Sequence, residues 1–225
     1  RETAAQIEMA IQNNVPKLVE LSDITGIFHT HTKYSDGASS IEDMAKAVKE
    51  KGMQYIGITD HSKSAFYASG LSPERVLEQF AHIDKINANS DNNFKLFKGI
   101  ESDILYDGKL DYEEEILTQF DFIIASVHSI LKMDIEKATS RLLTAIENKY
   151  TTILGHMTGR LLLSREGYPL HTKKIIDACA ANGVIIELNA NPYRLDIDWR
   201  WIGYCIEKGV FISINPDAHS IKDLN

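Results

Sequence analysis

Two histidines one residue apart, His29 and His31, lie in the stretch Gly26-Ile27-Phe28-His29-Thr30-His31-Thr32-Lys33-Tyr34-Ser35-Asp36-Gly37. If residues 25–29 form a strand, side chains repeat every second residue and both imidazoles project to one side. Two imidazoles do not complete a coordination sphere, because a divalent ion takes four or more ligands; the remainder must come from elsewhere in the chain. The sequence offers Asp36, His61, Glu101, His128, His156 and Asp217 with His219. Imidazole together with carboxylate suits Zn, Mn or Fe, and the absence of thiolate from this set argues against a closed structural zinc site. Nine candidates exceed the needs of one ion, and a carboxylate such as Glu101 is able to bridge two. The expectation is therefore a cluster of three divalent metal ions. Such a cluster serves phosphoester hydrolysis, since it generates hydroxide at neutral pH, clamps phosphoryl oxygens and neutralises the leaving group.

Any one of these histidines alone is more often an ordinary polar residue than a ligand; their joint placement carries the argument. Of the eight histidines in the chain, six fall at or shortly after the end of an apolar run. His82 and His171 lie within or at the start of helical segments and are read as surface or packing residues.

The runs that position the six are short strands alternating with helices. Strands are expected over 25–29, 55–59, 94–100, 122–127, 151–154, 183–188 and 210–214. A first helix is capped by Ser39 or Ser40, presents Ile41, Met44, Ala45 and Val48 on one face and ends at Lys51-Gly52. A second starts at Ser72-Pro73 with Val76, Leu77, Phe80, Ile83 and Ile86 apolar. Further helices are expected over 112–118, 135–148, 171–181 and 199–208. An entry helix from Thr3 to Ile11, interrupted at Pro16, precedes them. This alternation argues for parallel βαβ units. An open sheet would gather its ligands near one switch point. Here six of seven strand ends carry a candidate, and the carboxyl ends of barrel strands are where a β/α barrel builds its site. The reading is a closed or nearly closed barrel.

The chain of 225 residues has 44% hydrophobic and 25% charged residues, which fits one buried globular domain. Its formal charge of -8 opposes nucleic acid and anionic membrane unless bound cations or a local basic patch offset it. Cys179 and Cys205 sit in apolar helical runs and read as small buried hydrophobes in a reducing compartment. No apolar run approaches the roughly 20 residues of a membrane span, and no signal peptide is visible, so no membrane partner and a cytoplasmic location are expected. The sequence opens at Arg1 without a Met, in an amphipathic stretch over 2–21, which suggests a piece of a longer chain.

In its motifs the chain resembles the PHP (polymerase and histidinol phosphatase) superfamily. His29-Thr30-His31, Thr59-Asp60-His61, Gly99-Ile100-Glu101, Ser126-Val127-His128-Ser129, Gly155-His156 and Asp217-Ala218-His219 follow that superfamily's motifs in order. Tyr34-Ser35-Asp36-Gly37, Asp60-His61-Ser62-Lys63-Ser64, Leu110-Asp111-Tyr112, Thr158-Gly159-Arg160-Leu161-Leu162 and Asn189-Ala190-Asn191-Pro192-Tyr193-Arg194 resemble more closely the C-terminal PHP domain of bacterial family-X DNA polymerases. The resemblance implies a distorted (β/α)7 barrel over 25–225. Residues 1–24 would be an entry helix and connector, a remnant of the link to an N-terminal polymerase region. It also implies a metal-dependent 3'-5' exonuclease serving DNA repair. By the same likeness His29 and His31 would hold one ion with Glu101 and Asp217, Glu101 would bridge to a second held by His128 and His156, and Asp36, His61 and His219 would hold the third. The family often has an acidic residue where Ile27 stands and Pro where Met157 stands; neither is a ligand, and altered packing around the site is expected.

Lys63, Arg160 and Arg194 lie in loops after candidate strand ends, where cations could meet a substrate phosphate. Arg165 is paired with Glu166 on the surface in this reading. Asp60 either orients an imidazole or caps the next segment. Catalytic roles are expected for Glu101, Asp60, Arg160 and Arg194. The expected partner is a DNA 3' end. The alternatives are a phosphatase for histidinol phosphate or another small phosphomonoester, and a metal-stabilised scaffold supporting a polymerase. Side-by-side hydrolysis of an oligonucleotide and histidinol phosphate separates the first two, and inactivity on both with a filled metal site identifies the third.

Overall fold

The computed structural model describes residues 4–15, 17–90 and 93–224. Among these, seven strands pair in chain order, every neighbouring pair parallel. They are β1 (Gly26–Ile27), β2 (Tyr55–Ile58), β3 (Lys95–Asp103), β4 (Phe122–Ser126), β5 (Ile153–Leu154), β6 (Ile185–Asn189) and β7 (Ile212–Asn215). Just beyond β7 the chain returns to β1: Thr30 bridges Ala218 in parallel, and the His31 amide donates to the Ala218 carbonyl at 2.8 Å. The ring is thus nearly closed, as the distribution of candidate ligands over successive strand ends predicts.

Helices α2 (Ile41–Glu50), α3 (Pro73–Asn89), α4 (Glu114–Leu117), α5 (Ile135–Ile146), α6 (Thr172–Asn182) and α7 (Ile202–Glu207) connect the strands. Their starts follow local chemistry. Ser40, Ser72 and Asp134 each accept from the amide three residues on, satisfying an orphan donor of the first turn. Gly183 closes α6 at φ 69°, a left-handed conformation that carries little penalty only for glycine. Ile41, Met44, Ala45 and Val48 are buried as the helical period requires. Leu77 is not: it is 45% exposed, on the margin of the α3 face built by Val76, Phe80 and Ile83.

The lumen is filled from below. Phe122, Ile124 and Ile153 pack with Phe28, Phe97 and Ile185, and the rings of Phe28 and Phe122 meet edge-on at 4.9 Å. Gly57 and Gly99 make room for that plug, because a Cβ at either would lie 2.5 or 2.4 Å from the Phe122 ring. Outside the ring, β4 sends Ile123 and Ala125 against the helices. The candidate ligands sit above this aromatic floor, around Glu101.

Several boundaries differ from the sequence expectation. The first strand is only Gly26–Ile27, with Ile27 packed outward against α2 and Phe28 turned into the lumen. The third strand does not stop at Ile100; it runs through Glu101 to Asp103, where pairing with β4 continues. The helix expected over 112–118 shortens to α4, and 199–208 divides into a 3₁₀ turn (Trp199–Trp201) and α7. The entry helix α1 (Ala4–Ile11) forms, but Ile7 and Ile11 are exposed; Thr3 and Pro16 lie outside the described residues. Cys179 and Cys205 are buried free thiols. Ile27 and Met157 are core residues.

Candidate metal centre

Glu101 is the hub. Strand alternation directs Gly99, Glu101 and Asp103 inward, with Gly99 in the plug, Glu101 above it and Asp103 at the mouth. Glu101 is 1% exposed. Its Oε1 lies 2.9 Å from His156 Nε2, 3.1 Å from His128 Nε2 and 3.3 Å from His29 Nε2. Its Oε2 lies 3.1 Å from His61 Nδ1 and 3.5 Å from His31 Nε2. Asp217 Oδ1 faces His31 Nε2 at 3.3 Å and His29 Nε2 at 3.5 Å. Asp36 forms the outer wall, 3.6 Å from His61 Nε2 and 3.5 Å from His219 Nε2. All nine residues singled out as candidate ligands thus converge on one mouth.

Three subsets bring ligand atoms within 4.8 Å of one another: His31, Asp36, His61 and His219; His29, His31 and Asp217; and His61, Glu101 and His128. The buried nitrogens His29 Nε2, His31 Nδ1, His31 Nε2 and His61 Nδ1 have no hydrogen-bond partner. Leaving such groups unsatisfied costs free energy, and cations between them and the carboxylates would satisfy both. The residues present fit divalent ions.

The charges are strongly coupled. Burial works against a charged His29, yet Glu187, Asp217 and Glu101 hold its pKa well above the ordinary value. Burial likewise opposes a charged His128, but Glu101 and then Asp103 push it up to about 10. Burial drives His31 down to about 4, and burial with the neighbouring His31 takes His61 to about 3. Burial disfavours the Glu101 carboxylate, but His128, His29 and His61 keep it ionised well below its usual range.

Two carboxylates missed in the sequence hold the imidazoles in place. Glu187, fully buried on β6, accepts from His29 Nδ1 at 2.6 Å, the His156 amide at 2.8 Å, Asn215 Nδ2 at 3.1 Å and Asn189 Nδ2 at 3.3 Å. Asp103 accepts from His128 Nδ1 and from Ser64 Oγ. Each fixes which ring nitrogen carries the proton and turns Nε2 toward Glu101. The signal was available: Glu187 is a charge in the apolar run Val184-Ile185-Ile186-Glu187-Leu188, and Asp103 follows Glu101 by two residues.

Other expected roles are corrected. Asp60 contacts no imidazole; it accepts from the Thr32 amide and hydroxyl, both at 2.7 Å, from Ser35 Oγ at 2.5 Å and from Gln79 Nε2 at 2.6 Å. It therefore folds the loop that carries His31 and Asp36. Arg160 donates to the carbonyls of Arg194 and Leu195 and to Asp198 Oδ2, so its guanidinium braces the 194–198 loop. Lys63 turns over the Tyr112 ring, 5.6 Å from its centroid, and lines a different cavity with Lys109, Asp111 and Lys149. Arg165 donates to the Gly159 carbonyl. Arg194 alone of the expected cations reaches the cluster, its Nε 3.2 Å from Asp217 Oδ2. His82 and His171 pair with Glu42 and Glu136 away from the mouth.

The loops after β3 and β4 are joined from behind by Arg141 of α5. This side chain is 1% exposed and donates to the carbonyls of Ile104, Leu105, Ser129 and Ile130.

The family model for the PHP domain matches residues 28–191. The chain is 41% identical over its full length to the DNA polymerase/3'-5' exonuclease PolX of Bacillus subtilis, of which it spans 39%. It is 30% identical over 203 residues to a probable phosphatase of Acetivibrio thermocellus, covering 85% of this chain and 78% of that protein. Among solved structures, a candidate histidinol phosphatase of Listeria monocytogenes superposes with TM-score 0.71 at 14% identity, covering 89% of this chain and 97% of that one. A histidinol phosphate phosphatase of Lactococcus lactis, solved with zinc, L-histidinol and phosphate, superposes with TM-score 0.64 at 18% identity, covering 88% and 87%. These two share the fold. Among the described residues no helix is long and apolar enough to cross a membrane.

Proposed function

As the chain belongs to the PHP domain family, we propose that it is a metal-dependent phosphoesterase that removes nucleotides from the 3' end of a DNA strand, as part of a longer polymerase chain acting in repair. The observation that carries the hydrolytic reading is Glu101, buried and ringed by five imidazoles. The DNA reading draws on the identity to PolX across the whole chain.

His29, His31, Glu101 and Asp217 would hold one ion, Glu101, His128 and His156 a second, and Asp36, His61 and His219 a third, with His31 Nδ1 also 3.9 Å from Asp36. Ions so held would supply a low-pKa water and neutralise phosphoryl charge. Glu187 and Asp103 keep the His29 and His128 rings aimed. Arg194, held against Asp217 at the mouth, would donate to a non-bridging phosphate oxygen. The aromatic floor excludes water from below the cluster, which strengthens each charge interaction within it.

Supplied with Mn²⁺, the chain is expected to shorten a 5'-labelled single-stranded oligonucleotide stepwise from its 3' end. The rate should fall modestly as salt rises, because one cation at the mouth gives a shallow salt slope. The similarity to a probable phosphatase supports a second reading, hydrolysis of a small phosphomonoester. Rapid phosphate release from histidinol phosphate beside an intact oligonucleotide would reverse the ranking. Elemental analysis after reconstitution should find three ions per chain; one or fewer removes the cluster, and a full site inactive on both substrates favours a scaffold.

A further inference from the structure

Between the β2 end and α3 the chain forms a 3₁₀ turn, Phe66–Ala68, that presents two aromatic rings to solvent beside the metal centre. Phe66 is 88% and Tyr67 70% exposed. The Tyr67 ring centroid lies 6.2 Å from that of His61, so Tyr67 adjoins the cluster directly and Phe66 precedes it in the same turn. The turn itself is firmly rooted. Ala65 and Ala68 are buried, the Gly70 amide donates to the Ala65 carbonyl, Ser62 bridges Leu71, and Arg75 of α3 donates to the Ser69 carbonyl at 2.8 Å. Gly70 approaches so closely that a Cβ there would lie 1.9 Å from the Ser62 carbonyl oxygen. A fixed backbone thus holds two large apolar faces in water, where neither contributes to the core.

We propose that Phe66 and Tyr67 form a stacking platform for the nucleobases at the 3' end of the substrate strand, an inference that rests on the exonuclease reading above. Every base has a flat π-face, so stacking on aromatic side chains retains a single strand without reading its sequence. The chemistry also suits the charge of the chain. With a formal charge of -8 and one expected cation reaching the cluster, attraction to phosphates beyond the one the ions would hold is weak, and base stacking supplies affinity that those phosphate contacts do not. A small phosphomonoester without an aromatic base would leave the platform unused.

The test compares a 5'-labelled single strand with the same strand carrying abasic tetrahydrofuran residues at its last few 3' positions, both with Mn²⁺. The parent chain should prefer the base-bearing strand by about tenfold or more in kcat/KM, the ratio that ~1.4 kcal/mol gives at the lower end of stacking per base, and the preference should reside in KM. A chain carrying both Phe66→Ala and Tyr67→Ala should bring that ratio close to one, while Tyr67→Phe retains it, with thermal melts confirming the fold of each. A double variant that cleaves DNA and keeps the parent ratio overturns the platform and leaves the exonuclease reading intact. Equal losses on both strands overturn it too, and assign the turn to support of the metal centre or to a protein partner. A collapse with Tyr67→Phe replaces stacking by a hydroxyl contact. If the parent chain leaves both strands whole, the exonuclease reading fails and the platform with it.

Discussion

Replacing Glu187 by glutamine changes no volume and removes one charge at a position that touches no substrate, so its effect isolates the support beneath the metal centre. Each carboxylate oxygen of Glu187 accepts twice: Oε1 from His29 Nδ1 and Asn215, Oε2 from the His156 amide and Asn189. A glutamine has one acceptor oxygen and one NH₂, so either orientation sets a donor against two donors. If Asn215 or Asn189 turns its own amide, one bond is recovered; the His29 ring or the His156 amide still loses its acceptor. Bonds to charged groups contribute about 1.5–3 kcal/mol, and a stranded buried donor costs about 1–3 kcal/mol. The metal-free Glu187→Gln chain should therefore lose about 2–4 kcal/mol in urea unfolding. Loss of an outer partner also lowers metal affinity, by about 10–100-fold, since nothing then holds the His29 proton on Nδ1. Chelator competition measures this second quantity independently of unfolding. A variant that loses stability but binds metal as tightly as the parent refutes the orienting role, and one unchanged in both refutes the hydrogen-bond reasoning altogether.

Glu101→Ala should lower turnover by more than the roughly 10–100-fold tied to an outer partner, and reduce bound metal, while changing the metal-free melting temperature far less; parallel losses of activity and fold would assign Glu101 to structure. Hydrogen bonds from Arg200, followed by Arg160, hold the Asp198 carboxyl well below its usual range. A depressed folded pKa means this stabilisation is fully present above the unfolded value of about 3.9 and is lost as pH falls through the folded one. Unfolding measured from about pH 5 to pH 3 should accordingly show a shallower acid loss in Asp198→Asn than in the parent, and identical slopes would remove the pair from the stability account. Burial pushes the Cys179 thiol up to about 12 and raises that of Cys205. Neither should react with Ellman's reagent at neutral pH until the chain is denatured, and a thiol that titrates in the folded state contradicts this packing.

The site was legible where periodicity governs direction. Glu101 faces the lumen near the end of β3, and His128 and His156 follow β4 and β5 by two residues, so the alternation of apolar strands with helices placed them without knowledge of the fold. His29 and His31 were placed correctly by an argument that holds only in part, because β1 ends at Ile27 and both imidazoles reach Glu101 from irregular backbone. Loops offer no such rule. Lys63, Arg160 and Arg194 had equal claims as sequence, and tertiary contacts with Tyr112, Asp198 and Asp217 separated them. Asp60 accepts from its neighbouring loop, since a buried carboxylate next to a histidine serves such a loop as readily as the imidazole. Glu187 and Asp103 lie on the lumen face by strand alternation, but Glu187 sits inside β6 and Asp103 beyond the expected end of the third strand at Ile100, so neither stands at an end that the apolar runs mark.

Arg141 bears on how such a mouth diversifies. Its single guanidinium is hydrogen-bonded to the carbonyls of two loops, 104–105 and 129–130, and makes no ion pair among the described residues. Backbone carbonyls are present whatever the side chains, so point changes in those loops are absorbed, but an insertion or deletion shifts the carbonyls and strands a buried cation. A change of length on this flank of the barrel should therefore cost stability where a single substitution does not. New substrate preferences would then arise by lengthening the loops the guanidinium does not touch, those around 62–70 and 158–167, so one buried side chain sets which part of the mouth can evolve.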